Sequence, residues 1–455
     1  MRCLVEEKLA KKIPQEVIEI FTAFRQGGWE IFLVGGAVRD SLLKGSFIEA
    51  DFTTNATPEE IQKIFPKSFY DNVFGTVGLI IKTKKGEVKY EITTYRSEKG
   101  YSDKRRPDQV FWGNSLEEDL KRRDFTINAM AIGPKDNDLE LIDLFNGLDD
   151  LKNKTIKAVG NPNERFSEDA LRMLRAVRFA SQLGFTIEEN TFAAISKNAS
   201  LLKYISAERI RDELLKILAT DFPTEGITLL KTSSLLSHII PELEKGYEMA
   251  QAKHHIYDVW THSLLSLKFT PSRDPIVRLA SLIHDIGKPY TAKGEGEQRT
   301  FYNHEVVGAK IAQGIAERLK LSKKDAKRLT TLVRWHLFTV DERQTDSAIR
   351  RFIRNVGKEN LEDILALRTG DRLGGGAKET SWRLEKFKQR LAEVQKQPFS
   401  VTDLKVNGKD VMEILKIKSG PKVGEVLNDL FKEVVEKKVE NKREPLLKKL
   451  KEFKS

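Results

Sequence analysis

The chain has 455 residues, with 78 Lys and Arg against 67 Asp and Glu, a formal net charge of +11 and 40% hydrophobic residues. That length allows roughly three domains with substantial cores, the basic balance favours a polyanionic partner, and the single cysteine, Cys3, excludes an internal disulfide framework. No apolar run is long enough to span a bilayer and "MRCLVEEKLAKKIP" lacks the apolar core of a signal peptide, so a cytoplasmic protein without membrane contact is expected.

In chain order, apolar residues recur at helical spacing over 13–26, and short β-prone stretches follow at 31–34, 77–82 and 88–94, with "LELIDLF" closing a mixed α/β region. From Ser167 onward the pattern is almost entirely helical, interrupted at Pro223, "PSRDP", "GDRLGGGAKET" and "KQPFSVTD". The expected fold class is therefore α+β. A mixed head spans 1–150, followed by a helical neck at 151–220, a helical body at 221–395 and a basic helical tail at 396–455.

Gly35 and Gly36 sit where the first of these strands hands over to a helix, a place where outward-pointing N–H groups attract phosphate oxygens. Arg39 follows one helical turn on as a candidate phosphate partner. Glu49 and Asp51, spaced i, i+2 on a predicted strand, direct two carboxylates to one side, which calls for a cation between them. Mg²⁺ suits carboxylate and phosphate oxygens, and Glu91 in "KYEITTY" is a third carboxylate candidate from a neighbouring strand. "LKRRDFTINAMAI" gathers Arg122, Arg123, Asp124 and Asn128, with Asp124 equally readable as a helix cap.

These residues carry a resemblance. "VGGAVRD", the acidic pair before "FTTNATPEE", "RRDFTINAMA", "IDLFNGLDDL", "EDALRMLRAVRF" and "ERIRDEL" occur in the order that marks class II tRNA nucleotidyltransferases, the family of CCA-adding enzymes and bacterial poly(A) polymerases. The resemblance implies attack of an RNA 3′-hydroxyl on the α-phosphate of a nucleoside triphosphate. It assigns Gly36 and Arg39 to the triphosphate, Glu49, Asp51 and Glu91 to metal, and Arg123 with Asp124 to the ribose or phosphates. One position departs from the family, which has Asp in both members of the acidic pair where this chain begins with Glu49. The longer side chain requires the metal or the backbone to shift.

In "SEDALRMLRAVRF", Asp169, Arg172, Arg175 and Arg178 fall at successive i, i+3 spacings and are expected to form a polar stripe along one helix. Asp and Arg can hydrogen-bond a base edge directionally. The resemblance makes Asp169 and Arg172 a protein template for CTP and ATP, with Arg175 and Arg178 nearer the phosphates. Glu208 and Arg209 in "ERIRDEL" read as structural ion-pair residues.

Farther along, His262, His284 with Asp285, and Asp371 resemble the HD superfamily of metal-dependent phosphohydrolases, with His304 and His336 as extra ligands or phosphate contacts. That resemblance implies a divalent transition metal such as Ni²⁺ or Mn²⁺. His238, His254 and His255 read as packing or capping residues. The expected partners are tRNA, CTP and ATP, with no expectation of oligomeric state. Poly(A) polymerase, CC-only or A-only addition, an HD phosphohydrolase with an impaired head, and a noncatalytic RNA-binding protein stay open.

Overall fold

The computed structural model describes residues 1–45, 50–70, 75–83, 86–99, 109–113, 115–136, 138–251, 256–338, 340–341, 343–395, 401–436 and 438–453. Glu49, Gly100, His254 and His255 lie outside the described residues.

The head is built on ten strands: β1 (Arg2–Leu4), β2 (Ile31–Val34), β3 (Asp51–Thr54), β4 (Phe69–Tyr70), β5 (Thr76–Thr83), β6 (Gly86–Thr94), β7 (Arg96–Lys99), β8 (Gln109–Trp112), β9 (Met130–Lys135) and β10 (Asp138–Asp143). Eight form one mixed sheet in the order β1-β10-β9-β2-β3-β6-β5-β4, and β7 pairs with β8 as a separate ribbon. The β3/β6 pair is parallel, whereas the other pairs in the large sheet are antiparallel. The edge strand β1 was not anticipated. Its three residues show no periodicity of their own and are recruited by backbone pairing to β10.

The helix Gln15–Gln26 buries Val17, Ile20, Phe21 and Phe24, the i, i+3, i+4 stripe that its sequence provides. These residues pack on Leu33 and Phe52 of the sheet, with the Phe21 and Phe52 rings edge to face at 5.9 Å. Each such side chain contributes roughly 2 kcal/mol through burial. On the opposite sheet face, Val34, Ala131 and Ile142 meet Leu120 of the helix Leu116–Lys121. Asp51 pairs with Val34 across β2/β3, and in-register neighbours project to the same face, so this second face carries the acidic site.

Beyond β10 the described chain is helical apart from a two-residue parallel pair, Thr155–Ile156 with Thr186–Ile187. The helix Leu171–Leu183 packs against Ala207–Ala219 and Pro223–Thr232. Helices Val259–Phe269, Pro275–Ile283, His304–Arg318, Lys323–Trp335 and Leu361–Gly374 then gather around a continuous apolar core. Residues between Leu404 and Leu450 build a separate apolar cluster from the helices Gly408–Leu415, Pro421–Val435 and Arg443–Glu452. No described helix is long and apolar enough to cross a membrane.

Candidate functional site

Strand register assembles the head site. Val34, the last residue of β2, stands opposite Asp51, and Asp51 stands in parallel register with Glu91 of β6. The glycine turn, the first acid and the second acid therefore occupy consecutive positions across three strands. Asp51 is exposed, and Glu91 is half-exposed with its Oε1 2.9 Å from Lys89 Nζ. Two carboxylates side by side suit a hard, oxygen-seeking cation such as Mg²⁺.

Gly35 has φ +68°, a left-handed conformation that favours glycine, and opens the helix Gly36–Lys44. A Cβ there would come within 3.0 Å of Arg123 Nη1, which places that guanidinium over the turn. Arg123 donates to the buried Asp119 at 3.1 Å, and Arg122 does so at 2.5 Å. Burial raises the Asp119 pKa, but the two arginines outweigh it and hold the carboxyl below its usual range. Sequence reading missed Asp119, although its i+3 and i+4 arginine spacing was a usable signal.

Arg39 is buried, donating to Asp40 at 2.7 Å and to Asn128 Oδ1 at 2.8 Å. Asn128 donates in turn to Asp124 Oδ1 at 3.2 Å, and Arg175 Nε donates to Asp124 Oδ2 at 2.7 Å. Arg39, expected on the triphosphate, is thus anchored in a network that runs from the head to the neck. Asp124 is also buried, and burial raises its pKa; Arg175 and the hydrogen bonds prevail and lower it overall. Phe179, another residue missed in the sequence, lies under three guanidiniums, with centroid distances of 5.1 Å to Arg39, 5.4 Å to Arg175 and 4.3 Å to Arg178.

The four-residue stripe is broken. The helix Pro162–Glu168 ends before Asp169, which is extended (φ −137°, ψ 104°), and the next helix begins at Leu171. The Asp169 carboxylate accepts the Leu171 N–H at 3.0 Å, satisfying a helix-start donor, and pairs with Arg209 at 2.8 Å. That local bond competes with continuous helix, which is why i, i+3 spacing misplaced Asp169. Arg209 therefore braces Asp169, while Glu208 is exposed. Arg172 donates to Glu168 at 2.6 Å and to the Arg122 carbonyl at 3.1 Å, and Arg178 pairs with the buried Glu213 at 2.8 Å. The three arginines keep one helix, each fixed by a partner.

In the body, all six expected side chains converge. His262 lies in Val259–Phe269, His284 and Asp285 follow Pro275–Ile283, His304 begins its helix, His336 ends another, and Asp371 lies in Leu361–Gly374. Gly287 permits the closest approach, since a Cβ there would fall 2.1 Å from the His304 carbonyl oxygen. His262 Nε2 is 3.2 Å from Asp371 Oδ1, and His284 Nε2 is 3.2 Å from Asp285 Oδ2. His304 Nε2 is 3.1 Å from Asp285 Oδ1. The Nδ1 atoms of His284, His304 and His336 face backbone carbonyls at 2.7–2.8 Å, so their Nε2 atoms point inward. Burial opposes charge on His284, yet Asp285 and Asp371 push its pKa up to about 10. The field that attracts this proton equally attracts a cation.

Over 31–157 the chain matches the Poly A polymerase head domain, over 184–246 the RNA and SrmB binding-site model of polymerase A, and over 304–450 tRNA nucleotidyltransferase domain 2. It is 35% identical over 417 residues to the CCA-adding enzyme of Staphylococcus saprophyticus, covering 91% of this chain and 92% of that one. The chain belongs to the CCA-adding enzymes. The CCA-adding enzyme of Ligilactobacillus salivarius is 34% identical over 452 residues, covering 96% of this chain and 97% of its own. The crystal structure of the Bacillus stearothermophilus CCA-adding enzyme in complex with CTP has a TM-score of 0.70 at 30% identity, covering 99% of this chain and 98% of that one. The Thermotoga maritima CCA-adding enzyme complexed with tRNA shares the fold, with a TM-score of 0.63 at 22% identity. As a CCA-adding enzyme the chain is a metal-dependent nucleotidyltransferase of α+β fold.

Proposed function

We propose that this chain adds C, C and A in turn to the 3′ end of tRNA from CTP and ATP, with Asp51 and Glu91 as acids of the reacting centre and Glu49 completing them. The observation that carries the assignment of residues is the alignment of the Gly35 turn, Asp51 and Glu91 on consecutive strands. Mg²⁺ held by these acids would favour ionisation of the attacking hydroxyl and offset charge on the departing pyrophosphate. The RNA 3′-oxygen bonds to the α-phosphorus as the bond to pyrophosphate breaks, and the hydroxyl proton is released.

Gly35, Gly36 and Arg123 are assigned to the triphosphate, and Arg39 holds Asn128 and Asp124 beside it. Arg172, with Asp169 at the head of its helix, is assigned to the base edge, while Arg175 and Arg178 secure the helix that presents them. The division of labour follows the four segments: a reacting head, a selecting neck, and a body and basic tail that meet tRNA. Incubating the protein with trimmed tRNA and each labelled triphosphate tests this reading. Addition should stop after C, C and A, whereas long adenosine tails, or A added only to tRNA already ending in CC, would overturn it.

The body supports a second activity, metal-dependent hydrolysis of a phosphate ester such as a 2′,3′-cyclic phosphate, because six side chains of types that can ligate a metal converge there, on helices distinct from the strands that carry Asp51 and Glu91. An imidazole-rich set suits Ni²⁺ or Mn²⁺ better than Mg²⁺, and such an ion polarises phosphate and lowers the pKa of water. A water oxygen bonds to phosphorus, one ring P–O bond breaks, and the released sugar oxygen takes a proton. Replacing both His284 and Asp285 with Ala should abolish this hydrolysis and spare addition; unchanged hydrolysis would place it elsewhere.

A further inference from the structure

The row of positions that aligns the Gly35 turn with the two acids continues to the edge of the sheet. Val34 pairs with Asp51, Asp51 with Glu91, Glu91 with Gly78 of β5, and Gly78 with Phe69 of β4, the strand at the end of the sheet. In-register partners project to one face, so this row carries the glycine turn at one end, the acids in the middle and an aromatic ring at the other. Gly78 leaves β5 bare beneath that ring. A Cβ there would lie 2.4 Å from Phe69 Cζ, so the far end of the ring reaches inward over β5 toward Glu91. Neighbouring strands lie about 4.8 Å apart, which brings the ring to about one strand spacing from Glu91 and about 10 Å from Asp51.

We propose that Phe69 is a platform on which a base at the single-stranded 3′ end of the RNA substrate stacks, with Lys89 beside it for the linking phosphate. The proposal rests on the nucleotide-addition reading and deepens it by giving the RNA its own side of the site. Phosphoryl transfer sets the attacking and leaving oxygens roughly in line. With the triphosphate assigned to Gly35, Gly36 and Arg123, pyrophosphate departs toward the β2 end of the row, and the attacking hydroxyl comes from the β6–β5–β4 side. The neck closes on the β2 end as well, because Arg122 and Asp124, which meet Arg172 and Arg175, flank Arg123 above the glycine turn. Phe69 stands at the opposite end.

The chemistry of that end suits a nucleic-acid strand. Phe69 is 38% exposed, and Ile80, on the same face of β5, is 50% exposed, so apolar surface lies open beside the acids. Ile80 pairs with Lys89, whose Nζ is 5.5 Å from the Phe69 ring centroid and 2.9 Å from Glu91 Oε1. A positive charge thus bridges the ring and the acid, where the phosphate joining a stacked nucleotide to the reacting one would pass, and it offsets the repulsion that Asp51 and Glu91 exert on that phosphate. Stacking on an aromatic ring accepts every base, since every base has a π-face. That tolerance is what an RNA whose last nucleotide changes with each addition requires.

Photocrosslinking tests the contact without relying on catalysis. Trimmed tRNAs carrying 5-iodouridine or 5-iodocytidine at each unpaired 3′-terminal position are irradiated with the full-length protein, and the crosslinked peptide is expected to contain Phe69. In single-turnover addition, Phe69→Ala should lower kcat/KM for trimmed tRNA about 10-fold and leave the KM for CTP unchanged. Phe69→Trp should restore the rate and Phe69→Leu should not, while Gly78→Ala, which drives the ring off β5, should match Phe69→Ala. Crosslinks confined to other residues, full activity in Phe69→Ala or rescue by Phe69→Leu would each overturn the platform and leave the addition reading standing. An unaltered protein that adds no nucleotide would overturn the addition reading itself and the platform with it. The crosslink on unaltered protein decides the point even if the variants fail to fold.

Discussion

Arg175 in the neck closes on Asp124 in the head, Nε to Oδ2 at 2.7 Å, across 51 positions of sequence. Asp124 also accepts from Asn128, which holds Arg39, so one carboxylate joins the glycine-turn helix, the "RRDFTINAMA" segment and the helix carrying Arg172. Its folded pKa is lowered, so it contributes stability that is present above its unfolded value of about 3.9 and lost as pH falls through the folded one. Asp124→Asn should cost about 2 kcal/mol at neutral pH, discounted because Arg175 is partly exposed, and should flatten the loss of thermal stability below about pH 4. An acid limb as steep as that of the wild type would show that Asp124 is not responsible.

Asp51→Ala should reduce nucleotide addition at least about 1,000-fold, equivalent to about 4 kcal/mol in the barrier, while tRNA affinity changes little. Asp51 is assigned to metal and not to RNA. Single-turnover addition and filter binding separate the two quantities, and a matching loss of tRNA affinity would make Asp51 an RNA contact.

Glu49→Asp shortens the acid by one methylene at the position where the family has Asp. With Glu49 a working ligand whose metal sits slightly displaced, the variant should add nucleotides as fast as the wild type or faster at saturating Mg²⁺. An inactive wild type rescued by this change would show that the head of this chain is impaired.

The glycine turn, Asp51 and the adjacent His284–Asp285 pair were legible because each sits in a short local pattern. What brings them together is not local. The Asp51–Glu91 register depends on β3 and β6 pairing in parallel across 40 positions, and the approach of His304 to Asp285 depends on Gly287 admitting a carbonyl where a side chain would otherwise sit. Spacing also assigned Asp169 to the arginine helix, but its carboxylate instead ends one helix and starts another. Lys288 was overlooked because a Lys after a glycine turn reads as solvent-facing, yet it is buried on Asp285.

Gly287→Ala tests that close approach directly. The added Cβ would lie 2.1 Å from the His304 carbonyl oxygen and 2.7 Å from the Gly308 nitrogen, so the His304–Arg318 helix must move away from Asp285. Body phosphoesterase activity should fall at least about 10-fold, while nucleotide addition in the head stays unchanged. Equal loss of both activities would show that the body and the head respond to this contact as one unit.

Arg172 gives the sharpest separation of selection from chemistry. Its guanidinium is fixed by Glu168 and by the Arg122 carbonyl, so it has little freedom to follow a base of the wrong shape. A hydrogen bond to a charged group contributes roughly 1.5–3 kcal/mol, or about 10- to 150-fold in discrimination. Arg172→Ala should therefore raise misincorporation of UTP and GTP by about that factor while slowing correct C addition less, and Arg172→Lys should restore charge without restoring fidelity because it lacks the planar fork. Asp169→Ala should give a weaker version of the same defect, since it frees Arg209 and the start of the helix and leaves the Arg172 contacts in place. Sequencing the ends of tRNAs extended with mixed triphosphates measures all three variants together. A uniform loss of rate with unchanged nucleotide choice would remove Arg172 from base selection and make it a brace between neck and head.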